Sequence, residues 1–207
     1  MDCNDEIRTS TKVRKNNVKT CCNNNCGPTP PVTLECGLNP QDAVFEICKG
    51  HVKEHQKFVL DRVRVDTCAF CRPVVKIEFS SLVSFKVEDR WCLIDGNSGQ
   101  PATNGTPGIC GKVEVEVDLL FKLERTCNGV TETIRSWRYL KEVEIEGANE
   151  LELEISEPFT VTFCDKSSSH CCDYRMTVEG KDFEGKFESL RVTKPDISAI
   201  FTGMCNS

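Results

Sequence analysis

Fifteen of the 207 residues are cysteines, and their thiols are the groups in this chain best equipped for chemistry. Such a density signals a disulfide framework or metal sites. The count is odd, so at least one thiol must be free, bound to metal or bonded to another chain. The stretch Thr20-Cys21-Cys22-Asn23-Asn24-Asn25-Cys26-Gly27 sets three of them within six residues. Adjacent cysteines rarely bond each other, because the ring they close is strained, so Cys21 and Cys22 each need a separate partner. Eleven residues lead from Cys21 to Val32, a reach of about 36–40 Å when extended. That matches the roughly 40 Å diameter of a compact body of this size. The expectation is that Cys21, Cys22 and Cys26 bond to neighbouring subunits. An arm folded back onto its own body, and thiols that are free or bind metal, are the other readings.

The acceptors expected for them are Cys164, Cys171 and Cys172, because DKSSSHCC reads as a polar loop tip with exposed thiols. Cys171-Cys172 is a second adjacent pair that cannot readily close on itself. Cys68-Ala69-Phe70-Cys71 is a CxxC motif, but Arg72-Pro73 leads straight into a strand pattern rather than a helix, which argues against a redox site. Zinc held by Cys68 and Cys71 with Cys164, His170, Cys171 and Cys172 is an alternative; the second half lacks the spaced pair of a structural zinc site. Ordinary disulfides within the body are expected for Cys36, Cys68, Cys71, Cys92 and Cys110. Cys92 with Cys110 would staple a long loop, a closure that contributes about 3 kcal/mol.

Catalytic patterns are missing. His51 and His55 have helical spacing but sit in the polar connection KGHVKEHQK, and no HExxH, GxSxG or phosphate-binding glycine loop occurs. No catalytic residue, metal or cofactor is expected. The net charge of −6 is spread among interspersed basic and acidic residues, which gives no nucleic-acid footprint. No run of 18 apolar residues exists to span a membrane as a helix.

The elements that must hold these thiols divide in two. Residues 1–31 carry five basic and three acidic residues, few large apolar ones and the stretch GPTPP, and read as an extended basic connector arm. The prolines at 28, 30 and 31 favour an extended exit. Residues 32–207 carry 21 basic and 29 acidic residues and read as one body. Its dominant period is two. In KVEVEVDLLFKLER, residues 112–125, Val113, Val115, Val117, Leu119, Phe121 and Leu123 share one face, the signature of a strand with one wet side. ELELEIS at 150–156 and FTVTFC at 159–164 repeat it, the latter with Phe159, Val161 and Phe163 inward. Further strands are expected at Val32–Leu38, Ala43–Cys48, Lys57–Asp66, Val74–Phe79, Leu82–Glu88, Thr131–Tyr139, Tyr174–Glu179, Phe183–Val192 and Ile197–Thr202. Turns are expected at Asn128-Gly129, Gly147-Ala148-Asn149 and Gly180-Lys181-Asp182. Together these predict an all-β, antiparallel β-sandwich of jelly-roll type.

Leu34-Glu35-Cys36-Gly37, the stretch TCAFCRPVVKIEFSS at 67–81 and the later FTVTFC and CCDYRMTV resemble a family of uncharacterised cysteine-containing proteins from anaerobic spore-forming bacteria, over residues 32–180. The CC-x3-C arm resembles the N-terminal connector of endospore appendage (Ena-type) pilins. That resemblance implies jelly-roll subunits whose connectors make disulfides to earlier subunits of a helical fibre, with Cys21, Cys22 and Cys26 as the connector thiols. The arm departs from it in its greater length and in the extra Cys3, and the body does not match the body of those pilins by sequence.

The resulting expectation is a structural subunit that assembles head to tail into an extracellular, disulfide-crosslinked homopolymer, with a spore-surface anchor protein as a further partner. The first twenty residues, MDCNDEIRTSTKVRKNNVKT, lack the apolar core of a Sec signal. Synthesis in the mother cell, with exposure on the spore surface after lysis, reconciles this with the cysteines. The alternatives are an irregularly crosslinked spore-coat or exosporium protein, and a jelly-roll module that binds glycans through the loop 95–111.

Overall fold

The structure is a computed structural model and describes residues 32–67, 70, 73–89, 112–146, 151–166 and 171–203. Among them there are eleven strands and no helix: β1 (Thr33–Cys36), β2 (Ala43–Val44), β3 (Ile47–Cys48), β4 (His51–Val52), β5 (Lys57–Asp66), β6 (Val74–Asp89), β7 (Lys112–Cys127), β8 (Val130–Glu146), β9 (Leu151–Asp165), β10 (Cys171–Glu184) and β11 (Phe187–Thr202). A five-stranded sheet runs β1-β11-β6-β9, with β2 also on β11. A four-stranded sheet runs β5-β10-β7-β8, and β3 pairs with β4. Every pairing is antiparallel.

Alternation sets the inner faces. Val113, Val115, Val117, Leu119, Phe121 and Leu123 are all buried, as their period predicts. They meet Ile77, Phe79, Val83, Phe85 and Ile197 of the other sheet in one apolar core. Phe121 of β7 stacks on Phe159 of β9 at 3.9 Å between ring centroids, and Phe79 lies 6.3 Å from Phe121, so aromatic contacts join the two layers.

Several expected breaks are not breaks. Val74–Phe79 and Leu82–Glu88 form one strand, β6. Ser81 occupies a buried inward position in phase with Phe79 and Val83. ELELEIS and FTVTFC likewise form one strand, β9, through Pro158. β9 pairs only with β6 among the described residues, and an edge strand tolerates a missing N–H on its outer side. The expected turn Gly180-Lys181-Asp182 lies inside β10, where the pairing to β7 shifts register between Gly180 and Asp182. Gly180 is there for space, since a Cβ on it would come within 2.6 Å of the Phe183 ring. The chain turns at Gly185, with φ 113°. β11 runs unbroken through Pro195 by a register shift between Thr193 and Asp196. Asn128 and Gly129 do form the two-residue turn between β7 and β8, both with positive φ. Gly147-Ala148-Asn149 and the arm 1–31 lie outside the described residues.

Candidate functional site: a cysteine-bearing end and an open edge

The strand ends near Val74, Cys127, Asp165, Cys171 and Thr202 lie together, because Thr202 is opposite Val74, Val75 opposite Asp165, Cys172 opposite Cys127 and Cys171 opposite Asp66. Most described cysteines are at or near this end. Leu34, Ile200, Lys76 and Cys164 form one row across the five-stranded sheet. Cys36, Ser198, Glu78 and Thr162 form the row two residues further in. Cys36 and Cys164 are exposed free thiols, both on the outer face. Three strand spacings, about 14 Å, separate them. A disulfide needs Cα atoms within about 7 Å, so these two cannot join within one copy. Leu34 and Val74, on the same face, are exposed too.

Cys172 corrects the sequence expectation. It is bonded to Cys127 with Cα atoms 4.5 Å apart, so it is not a thiol for another subunit. Of the stretch expected to be a loop tip, Asp165 ends β9 and Cys171 and Cys172 begin β10, while residues 167–170 lie outside the described residues. The Cys171 thiol lies 3.3 Å from Asp66 Oδ1, to which it donates. Cys36, expected to bond within the body, has no disulfide partner among the described residues, and β1 places it on the outer face of an edge strand. Cys21, Cys22, Cys26, Cys68, Cys71, Cys92 and Cys110 lie outside the described residues. Cys48 and Cys127 were not among the expected site residues. Cys48 is an exposed free thiol in the β3–β4 hairpin, towards the opposite end of the body. The Cys127–Cys172 pair had a sequence signal: Cys127 is in inward phase with Phe121 and Leu123, and Cys172 with Tyr174 and Met176.

A polar knot lies behind the disulfide. Asp165 accepts from the Tyr174 hydroxyl at 2.7 Å and from Arg125 Nη1 at 2.5 Å, which ties β9 to β10 and β7. Burial, with the Asp165 carboxylate alongside, pushes the Tyr174 hydroxyl well above the ordinary phenol range.

The second feature is an open side. The β5 edge is partly covered, since Leu38 and Gln41 donate their N–H groups to the Arg62 and Leu60 carbonyls at 2.8 and 2.7 Å. β1 and β2 occupy the outer edge of β11. β8 and β9, with 17 and 15 residues, each pair on one side only among the described residues. Their inward residues Ile134, Trp137, Val143, Ile145, Leu153 and Ile155 are only half-buried. Side chains bridge the gap midway: Glu157 of β9 accepts from Lys141 Nζ at 2.6 Å and the Tyr139 hydroxyl at 3.1 Å. The Lys141 ammonium holds the Glu157 carboxyl below its usual range.

Glu114, Glu116, Glu142, Glu144 and Glu184 line a depression of about 440 Å³ at the other end of the four-stranded sheet. Glu116 lies directly between Glu142 and Glu184 on its neighbouring strands. No group of three or more His, Cys, Asp or Glu side chains among the described residues is arranged to hold a metal ion. Nor is any described helix long and apolar enough to cross a membrane.

A family described as a domain of unknown function (DUF4489) matches residues 30–97, the stretch that holds β1 to β6 and Cys36. No curated protein matches the chain.

Proposed function

We propose that the two sheets form a single jelly-roll sandwich, and that the chain is the structural subunit of an extracellular, disulfide-crosslinked fibre of the endospore-appendage kind. The subunit is made in the mother cell and carried on the spore surface. Strand order supports the jelly-roll part. The pairs β1·β11, β5·β10, β6·β9 and β7·β8 join first to last and inward, as in one long hairpin. The pairs β11·β6 and β10·β7 fold that hairpin into two layers.

The observation that carries the fibre part is the pair of long edges β8 and β9 on one side of the body. A row of unpaired N–H and C=O groups is a template for another chain, and monomeric proteins usually cover or shorten such edges. A head-to-tail contact of this kind between unlike surfaces, where its rotation does not close into a ring, propagates as a helical filament. Exposed Cys164, with Cys36 on the same face, offers acceptors for Cys21, Cys22 and Cys26 of another copy. Each bond formed releases two protons and two electrons, which dioxygen takes up once the mother cell lyses.

Electron microscopy of the purified protein, beside electrophoresis with and without reductant, tests the reading. Filaments and a ladder that collapses on reduction are expected. A clean monomer without reductant overturns it.

A further inference from the structure

We infer that the open side between β8 and β9 is a docking groove for residues 7–13 of a second copy, which add to the β8 edge as a strand. The inference rests on the fibre reading and names the contact that would build it.

The groove has a defined chemistry at the end away from the disulfide. Val143 and Ile145 of β8 and Leu153 and Ile155 of β9 present half-buried apolar side chains, and they alternate with the exposed carboxylates of Glu142, Glu144, Glu152 and Glu154. A strand laid along β8 would cover the apolar row with one face and turn the other towards the carboxylates. β8 is the better edge of the two, since Pro158 interrupts the donors of β9 while β8 holds no proline.

The arm contains one segment that fits. In Ile7-Arg8-Thr9-Ser10-Thr11-Lys12-Val13-Arg14, the odd positions are Ile, Thr, Thr and Val, all β-branched and β-favouring. The even positions are Arg, Ser, Lys and Arg. From Ile7 to Lys19 the chain carries five basic residues and no acidic one. Seven extended residues span about 23 Å, enough to run beside residues 140–146.

Reach favours another copy, because the chain's own groove lies near or beyond the limit of its arm. β1 enters the body at the cysteine-bearing end, where Thr33 is opposite Phe201, whereas Leu153 is opposite Val87 near the far end of β6. Those rows are about 40 Å apart along the strands and about 14 Å across them. The prolines of the run 27–31 favour about 15 Å of extended chain. From Val13 to Gly27 only 14 residues remain, at most about 50 Å, against a return of about 45–65 Å to residues 140–146 of the same copy if that run leads away, the shorter figure for a segment antiparallel to β8. A copy stacked beyond that end presents its own Glu142–Ile155 region directly to the arm.

The test uses the full chain with Thr11 replaced by the photo-reactive residue benzoylphenylalanine, prepared as an equal mixture of unlabelled and nitrogen-15-labelled protein. The same sample is imaged by electron microscopy. Crosslinks from position 11 to peptides within 137–159, about half of them joining the two isotopes, are expected. Crosslinks to those peptides only within one isotope overturn the assignment to a second copy. Filaments without crosslinks to those peptides overturn the groove and leave the fibre reading standing. Mixed-isotope crosslinks in small closed oligomers uphold the groove and overturn the fibre. Arg8→Pro and Thr9→Pro, each introduced beside the crosslinker at position 11, bracket the two orientations of the strand, and the one that removes a donor facing β8 should lower the yield of mixed-isotope crosslinks at least about tenfold. An unchanged yield with both counts against strand addition.

Discussion

Cys127 and Cys172 face each other across β7 and β10, and their bond closes 45 residues of chain at the end of the core. Each sits in the inward phase of its strand, and their close approach is that of a non-hydrogen-bonded antiparallel pair. The bridge therefore staples two strands that would be neighbours in any case. Its effect falls mainly on the unfolded chain.

From this follows the cost of removing it. The double substitution Cys127→Ala, Cys172→Ala should lower unfolding free energy by about 4 kcal/mol, the chain-entropy value for a loop of this length. Urea denaturation measures it. A loss below about 1 kcal/mol would show that the bridge does not constrain the unfolded state.

The remaining thiols should separate by access. Brief alkylation of the reduced, folded protein should label Cys36, Cys48 and Cys164, which are exposed. Cys172 is buried and should stay unlabelled until the protein unfolds. Peptide mass spectrometry reads the pattern, and prompt labelling of Cys172 would contradict the burial of this end.

Asp61 is a buried carboxylate that accepts from the backbone N–H groups of Asn39 at 3.0 Å, Arg62 at 2.7 Å and Ile197 at 3.3 Å. It binds the segment after β1 to β5 and β11. Asp61→Ala should cost about 3 kcal/mol or more, because three donors lose a charged acceptor. Gly37→Ala should cost a comparable amount, since its Cβ would fall 2.0 Å from Asp61 Oδ2. Thermal unfolding of both variants checks this, and a Gly37→Ala protein of wild-type stability would refute the packing.

Two carboxylates on the outer face of the four-stranded sheet should titrate with opposite sign. Burial, with Asp182, Glu142 and Asp118 nearby, raises the Glu116 carboxyl above its ordinary 4.5. Its ionisation therefore opposes folding above that raised value, and the penalty is gone below 4.5. Glu116→Gln should raise the Tm at pH 7 and lose this advantage as the pH falls below the ordinary carboxylate range. Glu179 is held down to about 2 by hydrogen bonds from Lys122 and Lys181. It supports the fold above 4.5, and that support is lost as the pH falls towards 2. Glu179→Gln should lower the Tm at pH 7 and converge with wild type in acid. Calorimetry across pH 2–7 decides both.

The alternation of Lys112 to Arg125 was enough to assign β7 and its buried face, because a period of two leaves one side of a strand apolar along its whole length. The same signal misplaced some boundaries. Ser80-Ser81, Pro158 and Gly180 look like breaks locally, yet Ser81 fills an inward position, Pro158 lies on an edge, and Gly180 makes room for Phe183. Each of those reasons is a neighbour on another strand, which local composition does not report.

The cysteines divide in the same way. Their number and the adjacent pairs establish that the thiols cannot all be satisfied locally, because ring strain and an odd count are properties of the chain alone. Which thiols meet was decided by register. Cys172 finds Cys127 because β10 lies beside β7, and Cys36 and Cys164 are kept apart because two strands lie between theirs. The open side between β8 and β9 is likewise a product of strand order. The residues of β8 and β9 carry the same alternation as β7, and only their place at the edges of the sheets leaves their inward faces half-covered.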